Sequence, residues 1–288
     1  MDSALKSRLK LAAKLVVSAL ILWIIIRKLD WVQLGEVLLS INPLWLLGGA
    51  LFFVISKIIS AYRFNILLTA EGAYLSDTIN LKLYWLGMYY NLLLPGGISG
   101  DGYKVKLLKD HFKISVKKLL KIILLDRVSG LFALGLIFLL LLPVPEYFRP
   151  WLWLCVLLFC AAAAGGYYFF QFFGKHIEKI FLIITLKSLF VQLMQILCVL
   201  CIIHAFGKSE NFIAYILLFL VSSVIAMVPV TIGGAGAREL TFLYGAGLMN
   251  VQNEVAVGIA FVFYLISTGV ALYGVRYSFK PVLPPPPV

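Results

Sequence analysis

Residues 91–108 have the sequence NLLLPGGISGDGYKVKLL and interrupt an otherwise apolar part of the chain. Pro95 has no amide hydrogen and cannot continue a helix. The glycines that follow it permit backbone conformations that other residues avoid. Asp101 and Lys104 then bring charge to a segment whose flanks are apolar. The stretch therefore predicts a break between two helices, with ionisable groups next to the break.

A second break, MVPVTIGGAGARELTF, occupies residues 227–242. Aligning Pro95 with Pro229 gives the shared pattern P-x-x-I-x-G-x-G-x-[KR], in which Lys104 matches Arg238. The offset is 229 − 95 = 134 residues, close to half of the 288-residue chain. Two broken apolar segments at corresponding places are typical of a transporter built from two repeats, with its site at the repeat interface. Two unrelated glycine-rich loops are the alternative.

The composition places the chain in a membrane. It is 62% hydrophobic and only 13% charged, which is typical of a multi-span helical membrane protein. The net charge is +12, but the Lys and Arg residues lie in loops between apolar runs. Membrane topology explains that pattern better than nucleic-acid binding does. We therefore expect membrane lipids, with anionic headgroups, as partners and no nucleic acid.

The basic loops also favour one topology. Seven lysines lie within 104–121, which predicts a cytoplasmic loop. If every apolar run spans the membrane, this loop is cytoplasmic only when the N-terminus lies outside. If 79–103 and 212–249 are re-entrant hairpins instead, both termini are cytoplasmic and a larger excess of Lys and Arg stays inside. We favour the hairpin model.

The predicted fold is an all-α integral membrane protein made of an inverted repeat. It has about six full spans and two re-entrant hairpins that meet near the midplane. A single membrane domain covers 1–280, with half-repeats at about 1–142 and 151–276, and a proline-rich tail covers 281–288. Residues 105–121 predict either an amphipathic helix on the cytoplasmic leaflet or a solvated connector.

Soluble-enzyme and metal motifs are missing from the sequence. There is no Walker A loop, and the three histidines are scattered. Cys198 and Cys201 form a C-x-x-C pair inside an apolar run, without a second pair at metal-site spacing. Buried packing cysteines are the favoured interpretation. We expect no cofactor and no metal.

Four segments resemble one known family: NLLLPGGISGDGYKVKLL, the later IGGAGARE, YRFNILL at 62–68 and LLDRVSGL at 124–131. They are similar to the lysylphosphatidylglycerol synthase transmembrane region, the flippase-like domain of the multiple peptide resistance factor, which also occurs alone in bacteria and archaea. The resemblance covers nearly the whole chain. It implies lipid translocation between leaflets of a bacterial or archaeal cytoplasmic membrane. The full factor continues into an acyltransferase domain, and because this chain ends at Val288 we expect no synthase activity.

Charged groups at membrane depth are costly and are candidates for function. Helix N-termini and glycine turns at the two breaks would offer amides to a phosphate. The expected substrate-binding residues are Gly96, Gly97, Ser99, Gly100, Asp101, Gly102, Lys104, Gly233, Gly234, Gly236, Arg238 and Glu239. The expected supporting residues are Arg63, Asn91, Asp126, Arg127, Gln192 and Gln195.

Several roles stay open at this point. Asp101 and Glu239 would hold a coupling proton or cation, or else cap a helix or neutralise a neighbouring base. Asp126 and Arg127 are adjacent and cannot face each other on a helix, so each needs a partner elsewhere unless Arg127 snorkels to the surface. The stripes Ser56–Ser60–Arg63 and Ser188–Gln192–Gln195 either line a pathway or join helices. Lys57 is expected to snorkel or pair.

Three functions compete. The first is translocation of an anionic lipid, either a polyprenyl phosphate, a polyprenyl-linked sugar or a phospholipid. The second is a membrane-embedded enzyme acting on a polyprenyl-linked lipid, for which Asp101, Asp126 and Glu239 are the available carboxylates. The third is a scaffold for a separately encoded lipid-modifying enzyme. Oligomeric state and energy source have no signature in the sequence.

Overall fold

The computed structural model describes residues 31–39, 41–93, 99–208, 210–227, 236–279 and 281–283, and the regular elements in these ranges are helices. The predicted first span at 11–26 and the two break tips at 94–98 and 228–235 lie outside the described residues. In chain order the α-helices are α1 Trp31–Leu39, α2 Pro43–Ala70, α3 Asp77–Leu93, α4 Ser99–Phe112, α5 Val116–Leu141, α6 Leu152–Phe172, α7 Lys175–Glu178, α8 Phe181–Ala205, α9 Phe212–Met227, α10 Ala237–Leu248 and α11 Asn253–Leu272. Two 3-10 helices cover Glu146–Trp151 and Tyr273–Tyr277.

Five of the described helical segments are long and apolar enough to cross a membrane: Pro43–Ala70, Val116–Leu141, Glu146–Phe172, Phe181–Ala205 and Asn253–Tyr277. A helix needs about 20 apolar residues to span the hydrocarbon. These segments correspond to five of the six predicted full spans, and the sixth is the one outside the described residues. The prediction of an all-α, multi-span membrane protein is confirmed.

Local chemistry sets the ends of the central helix α2. The Asn42 side chain accepts a hydrogen bond from the Leu44 amide at 3.0 Å, and Pro43 occupies the first turn, where its missing amide hydrogen costs nothing. At the other end, Gly72 adopts a positive φ of 85°, which ends the helix and turns the chain toward α3. The two caps therefore delimit a helix of 28 residues, which is long enough to span the membrane. Its polar face lies inside the protein.

The order of helix lengths repeats along the chain. A long helix, two short helices and a long helix occur first as α2–α5 and then as α8–α11. The two long helices α2 and α8 pack along each other at the centre. The other contacts occur in matching sets: α3 with α4 and α9 with α10, α4 with α5 and α10 with α11, α3 with α11 and α9 with α5. The two sets of four helices therefore contact each other in a reciprocal manner.

The predicted amphipathic helix over 105–121 is wrong, because the chain breaks inside it. Helix α4 ends at Phe112, and Lys113 adopts a positive φ of 55°. Helix α5 then starts at Val116, with the Ser115 side chain accepting from the Lys118 amide. Leu108 is buried against the protein core and does not face lipid. The lysines of this region are therefore divided between α4 and α5, with Lys113 in the connection between them.

A cluster of charged side chains ties several helices together where α2 ends. Lys121 Nζ of α5 lies 2.7 Å from Glu71 Oε1, and His176 Nε2 of α7 lies 3.0 Å from the same oxygen. Burial raises the pKa of the Glu71 carboxyl, but the hydrogen bonds from Lys121 and His176 outweigh it and hold the pKa below its ordinary value. We call this end of the bundle, where α2 and α6 end and α5 and α8 begin, the basic rim.

The start of the proline-rich tail belongs to the folded protein. Val282 and Leu283 pack against the apolar cluster that contains Phe64 and Leu67. Residues 284–288 of the predicted extended tail lie outside the described residues. The C-terminal segment is thus anchored to the bundle at 282–283.

Candidate functional site

A cavity of about 330 Å³ lies between the two sets of helices. The charged side chains that line it are Lys57, Arg63, Asp101, Lys104, Asp126, Arg127 and Arg238. Five bases less two acids give these residues a formal charge of +3. The cavity therefore brings Lys104 of the first break and Arg238 of the second break into one place, although they are 134 residues apart in the chain.

Two of the charges form a buried pair between the long helices. Arg63 Nε of α2 donates to Asp126 Oδ1 of α5 at 2.8 Å, and Arg63 Nη1 donates to Ser188 Oγ of α8 at 2.9 Å. The two charged side chains are 6% and 12% exposed. Burying charges costs several kcal/mol per ion unless each is paired and hydrogen-bonded. These contacts satisfy Arg63 and connect three helices.

A second network surrounds Asp101. Lys104 Nζ lies 2.7 Å from Asp101 Oδ1 within α4, and Arg127 Nε of α5 donates to Asp101 Oδ2 at 2.9 Å. The Lys104 ammonium also lies 4.6 Å from the Phe64 ring centroid. Asp101 thus neutralises two bases rather than capping a helix. The prediction that Asp126 and Arg127 find separate partners on other helices is confirmed.

Arg238 is held differently. Its Nη1 donates to Ser222 Oγ at 2.9 Å and to Ser223 Oγ at 3.1 Å. Its guanidinium carbon lies 5.1 Å from the Phe219 ring centroid and 4.7 Å from that of Phe263. Within the described ranges no carboxylate lies at ion-pair distance from this guanidinium. Arg238 is therefore oriented by hydroxyls and rings and keeps its charge uncompensated by direct pairing.

Lys57 is a cavity residue that the sequence interpretation missed. Its ammonium lies 4.5 Å from the Phe53 ring centroid, and none of the ion pairs among the described residues includes it. The expectation that it snorkels or pairs is not met. The sequence does indicate that Lys57 belongs with Ser60 and Arg63, because the three residues are spaced three apart and share one helix face. All three line the cavity.

The six predicted supporting residues all lie at the cavity wall: Arg63, Asn91, Asp126, Arg127, Gln192 and Gln195. Gln192 Nε2 donates to the Gly130 carbonyl at 3.2 Å, which joins α8 to α5. The two polar stripes therefore serve more than one purpose. Ser60, Gln192 and Gln195 line the cavity, and the Ser56 and Ser60 hydroxyls donate to backbone carbonyls of their own helix.

Two of the described backbone amides at the breaks are already engaged. The Gly100 amide donates to Asn91 Oδ1 at 2.9 Å, and the Gly236 amide donates to Glu239 Oε2 at 2.8 Å. Gly236 is the N-cap residue of α10 and has a positive φ of 85°, and Glu239 caps the helix by accepting a hydrogen bond from its amide. These two amides do not form the expected phosphate nest. Glu239 serves as a cap.

The remaining predicted binding residues are placed as follows. Ser99 donates to the Tyr90 carbonyl at 3.3 Å, and Gly102 lies inside α4 with open space beside it. Neither is among the described residues that line the cavity. The positions of four predicted glycines lie outside the described residues: Gly96, Gly97, Gly233 and Gly234.

Gly100, expected as a substrate-binding residue, lies where α4 packs closely against α3. A Cβ at Gly100 would lie inside the van der Waals contact distance of the Gly87 carbonyl oxygen and 2.9 Å from the Asn91 amide nitrogen. Both groups belong to α3. Gly100 therefore permits the close approach of α3 and α4.

We expect Gly100→Ala to destabilise the protein, because α3 and α4 must separate to admit the methyl group. Overpacking of this kind costs about 1–3 kcal/mol. Gly102→Ala is the matched control on the same helix, where a Cβ meets nothing within 4 Å. That change is expected to be neutral or to stabilise by about 0.5–1 kcal/mol. The thermal unfolding midpoint of each purified variant in detergent measures the difference, and equal midpoints would contradict the close-packing role.

The cysteines of the C-x-x-C pair fill space between the central helices. Cys198 and Cys201 are free and buried, and a Cβ at Gly49 of α2 would lie 3.3 Å from the Cys198 carbonyl oxygen and 3.5 Å from Cys201 Cβ. This agrees with packing cysteines. Within the described parts of the chain, no three His, Cys, Asp or Glu residues are grouped closely enough to hold a metal ion.

Fold and cavity together define a polytopic α-helical membrane protein with a charged chamber between two similar sets of helices. The family model described as the lysylphosphatidylglycerol synthase TM region matches residues 11–274, and the chain belongs to this family. The resemblance drawn from the four sequence segments is confirmed. No curated protein sequence matches the chain.

Proposed function

We propose that the protein moves a lipid with an anionic phosphate headgroup between the two leaflets. One observation carries the proposal: a cavity at the centre of a membrane bundle contains five bases and two acids. Such an excess of charge is costly in the membrane unless it serves a ligand or an ion pathway. A phosphate, with one or two negative charges, would compensate part of it.

Arg238 and Lys57 are the proposed first contacts of the phosphate. Lys104, Arg127 and Arg63 already face carboxylates, whereas no ion pair among the described residues includes Arg238 or Lys57. A guanidinium offers several N–H donors in a planar fork that suits phosphate, and an ammonium adds a point charge. The paired bases hold the wall in place, and their Asp101 and Asp126 partners keep the cavity from becoming still more positive.

The size of the cavity limits what it encloses. A volume of about 330 Å³ is near the small end of the range of roughly 300–1,000 Å³ found for ligand sites. We propose that it encloses the headgroup, while the hydrocarbon chains of the lipid stay in the bilayer. The polar Gln192 and Gln195 side chains would then contact the part of the headgroup beyond the phosphate.

We also propose that the two sets of four helices form an inverted repeat, with α3–α4 and α9–α10 as re-entrant hairpins. The reciprocal helix contacts and the matching breaks in the sequence support this arrangement. Lys104, which follows the first break, and Arg238, which follows the second, both line the cavity. The site would then be reachable from either side as the two halves rock.

The basic rim suggests the orientation of the protein. Lys117, Lys118, Lys121, Lys175 and Lys179 all lie there, and cytoplasmic loops carry an excess of such residues. We therefore propose that the rim and both chain ends are cytoplasmic, in the cytoplasmic membrane of a bacterium or archaeon. The engagement of Asp101, Asp126 and Glu239 in ion pairs or a cap favours transport over catalysis by these carboxylates.

Leaflet-resolved translocation in proteoliposomes tests the function. Candidate lipids with a polyprenyl phosphate, a polyprenyl-linked sugar or a phospholipid headgroup are compared with a zwitterionic lipid of the same chain length. We expect the protein to accelerate movement of at least one anionic lipid well above the rate in protein-free vesicles. Equal rates with and without protein for every anionic lipid would contradict the proposal.

A further inference from the structure

A second basic surface lies on the outside of the bundle and has a lining different from that of the charged cavity. At the basic rim, a groove of about 710 Å³ runs between the end of α2, the short helix α7 and the start of α8. We call it the rim groove, and its defining side chains are Tyr62, Ile66, Lys175, Lys179, Ile180 and Lys187. None of these residues lines the central cavity.

The groove carries positive charge that the described protein groups leave uncompensated. Lys175, Lys179 and Lys187 line it, and no ion pair among the described residues includes any of the three. The acid at its edge, Asp77, accepts a hydrogen bond from Asn65 Nδ2 at 3.2 Å. Three lysines and one aspartate give a formal charge of +2, without counting His176. A singly or doubly charged phosphate complements that charge.

Lys187 places one end of the groove beside the membrane-spanning part of α8. It lies six residues after the start of α8, or about 9 Å along the helix. Its ammonium lies 5.8 Å from the Tyr62 ring centroid, at the edge of the bundle. On the same face of α8, Ile183 is 42% exposed and Phe190 is 54% exposed. Apolar surface therefore continues from the lysines toward the hydrocarbon, where acyl chains lie.

We propose that the rim groove binds one anionic phospholipid of the cytoplasmic leaflet, with its phosphate between Lys175, Lys179 and Lys187 and an acyl chain along Phe190. A soluble phosphate compound fits less well, because the groove joins charge to an exposed apolar helix face. We regard this phospholipid as a structural lipid that stays bound and is not transported. The proposal does not depend on which lipid the central cavity transports.

The groove also adjoins the wall of the central cavity. Tyr62 and Lys187 face the groove, while their chain neighbours Arg63 and Ser188 hydrogen-bond to each other at 2.9 Å. One contact between α2 and α8 thus has the rim groove on one side and the cavity on the other. A lipid in the groove would brace this helix pair, so binding should raise the thermal stability of the protein.

The test compares two triple variants that remove the same charge. Lys175→Gln/Lys179→Gln/Lys187→Gln alters the groove. Lys106→Gln/Lys109→Gln/Lys113→Gln is the control, since these three lysines are exposed near the same end of the bundle and line neither the groove nor the cavity.

Native mass spectrometry measures the affinity for dioleoylphosphatidylglycerol, with dioleoylphosphatidylcholine and soluble glycerol phosphate as comparison ligands. Both triples are also made in the Arg238→Gln background, which separates this groove from the cavity.

We expect the groove triple to bind the anionic lipid at least about tenfold more weakly, because it loses the three ammonium groups proposed to surround the phosphate. The control triple should keep wild-type affinity and the stability gain on lipid addition. Equal losses in both triples would show diffuse attraction and overturn the proposal, as would no loss in either. Glycerol phosphate binding as tightly as the lipid would also overturn it. If the groove triple does not fold, Lys187→Gln is compared with Lys106→Gln by the same criteria.

Discussion

Replacing Arg238 with Gln is expected to lower translocation of an anionic lipid by about 10- to 100-fold, while the protein still inserts and folds. The range corresponds to the roughly 1.5–3 kcal/mol of a hydrogen bond to a charged group. Arg238 lies against two rings and two serine hydroxyls and has no described carboxylate partner. Its removal therefore deprives no described carboxylate of an ion-pair partner. The defect should therefore appear in transport rather than in stability.

The chain offers a closely matched control for this change. Arg276 also lies over two aromatic rings, 4.9 Å from the Tyr273 centroid and 5.8 Å from that of Tyr277, but it lies outside the cavity. Arg276→Gln should keep wild-type transport. Arg238→Lys keeps the charge without the planar fork and should give an intermediate rate. Proteoliposome translocation rates are compared at equal amounts of reconstituted protein.

A double variant separates substrate binding from charge balance. If Arg238 served only to offset Glu239, neutralising both would restore activity. Glu239 instead accepts the Gly236 amide at 2.8 Å as a helix cap. We therefore expect Arg238→Gln/Glu239→Gln to stay as inactive as the single variant. Recovery of transport in the double variant would remove Arg238 from the proposed phosphate site.

The second large effect concerns stability. Arg63→Met removes one partner of the buried pair and leaves the Asp126 carboxylate buried without its hydrogen-bonded partner. Breaking such a pair costs about 3–5 kcal/mol. Arg63→Met/Asp126→Leu removes both charges and should recover most of the lost free energy of unfolding, although the hydrogen bond from Arg63 to Ser188 remains absent. Unfolding titrations at a fixed detergent ratio measure both variants.

The same two variants also test the role of the pair in transport. If the pair only joins helices, the recovered double variant should transport at close to the wild-type rate. If the pair also contributes to the electrostatic potential of the cavity, the double variant should be stable but should transport the lipid slowly. Equal instability of the single and double variants would contradict the claim that the unpaired Asp126 is the source of the cost.

The sequence by itself determined the class of the protein and most of its spans. An apolar run of about 20 residues has few alternatives to a membrane helix, because every backbone group in the hydrocarbon must find an internal partner. The Pro-Gly breaks were visible for the same local reason, since proline and glycine act on the backbone where they stand. The separate partners of Asp126 and Arg127 also followed from local spacing, whereas the family followed from the resemblance of four segments.

Other features depended on contacts between distant parts of the chain. Lys104 pairs with Asp101 three residues earlier on the same helix, but the surroundings of Arg238 are two rings contributed by α9 and α11. The break at Lys113 divides a stretch whose spacing fits one continuous helix. The requirement for glycine at position 100 comes from the α3 backbone, which leaves no space for a Cβ.

Lys57 shows why the tertiary structure decided the site. Its spacing placed it on the face of α2 that carries Ser60 and Arg63, but that face becomes a cavity wall only when α5, α8 and α9 pack around it. Whether a lysine in a span snorkels or remains inside depends on what occupies the space beside it. That space is created by long-range packing, which a single sequence does not specify residue by residue.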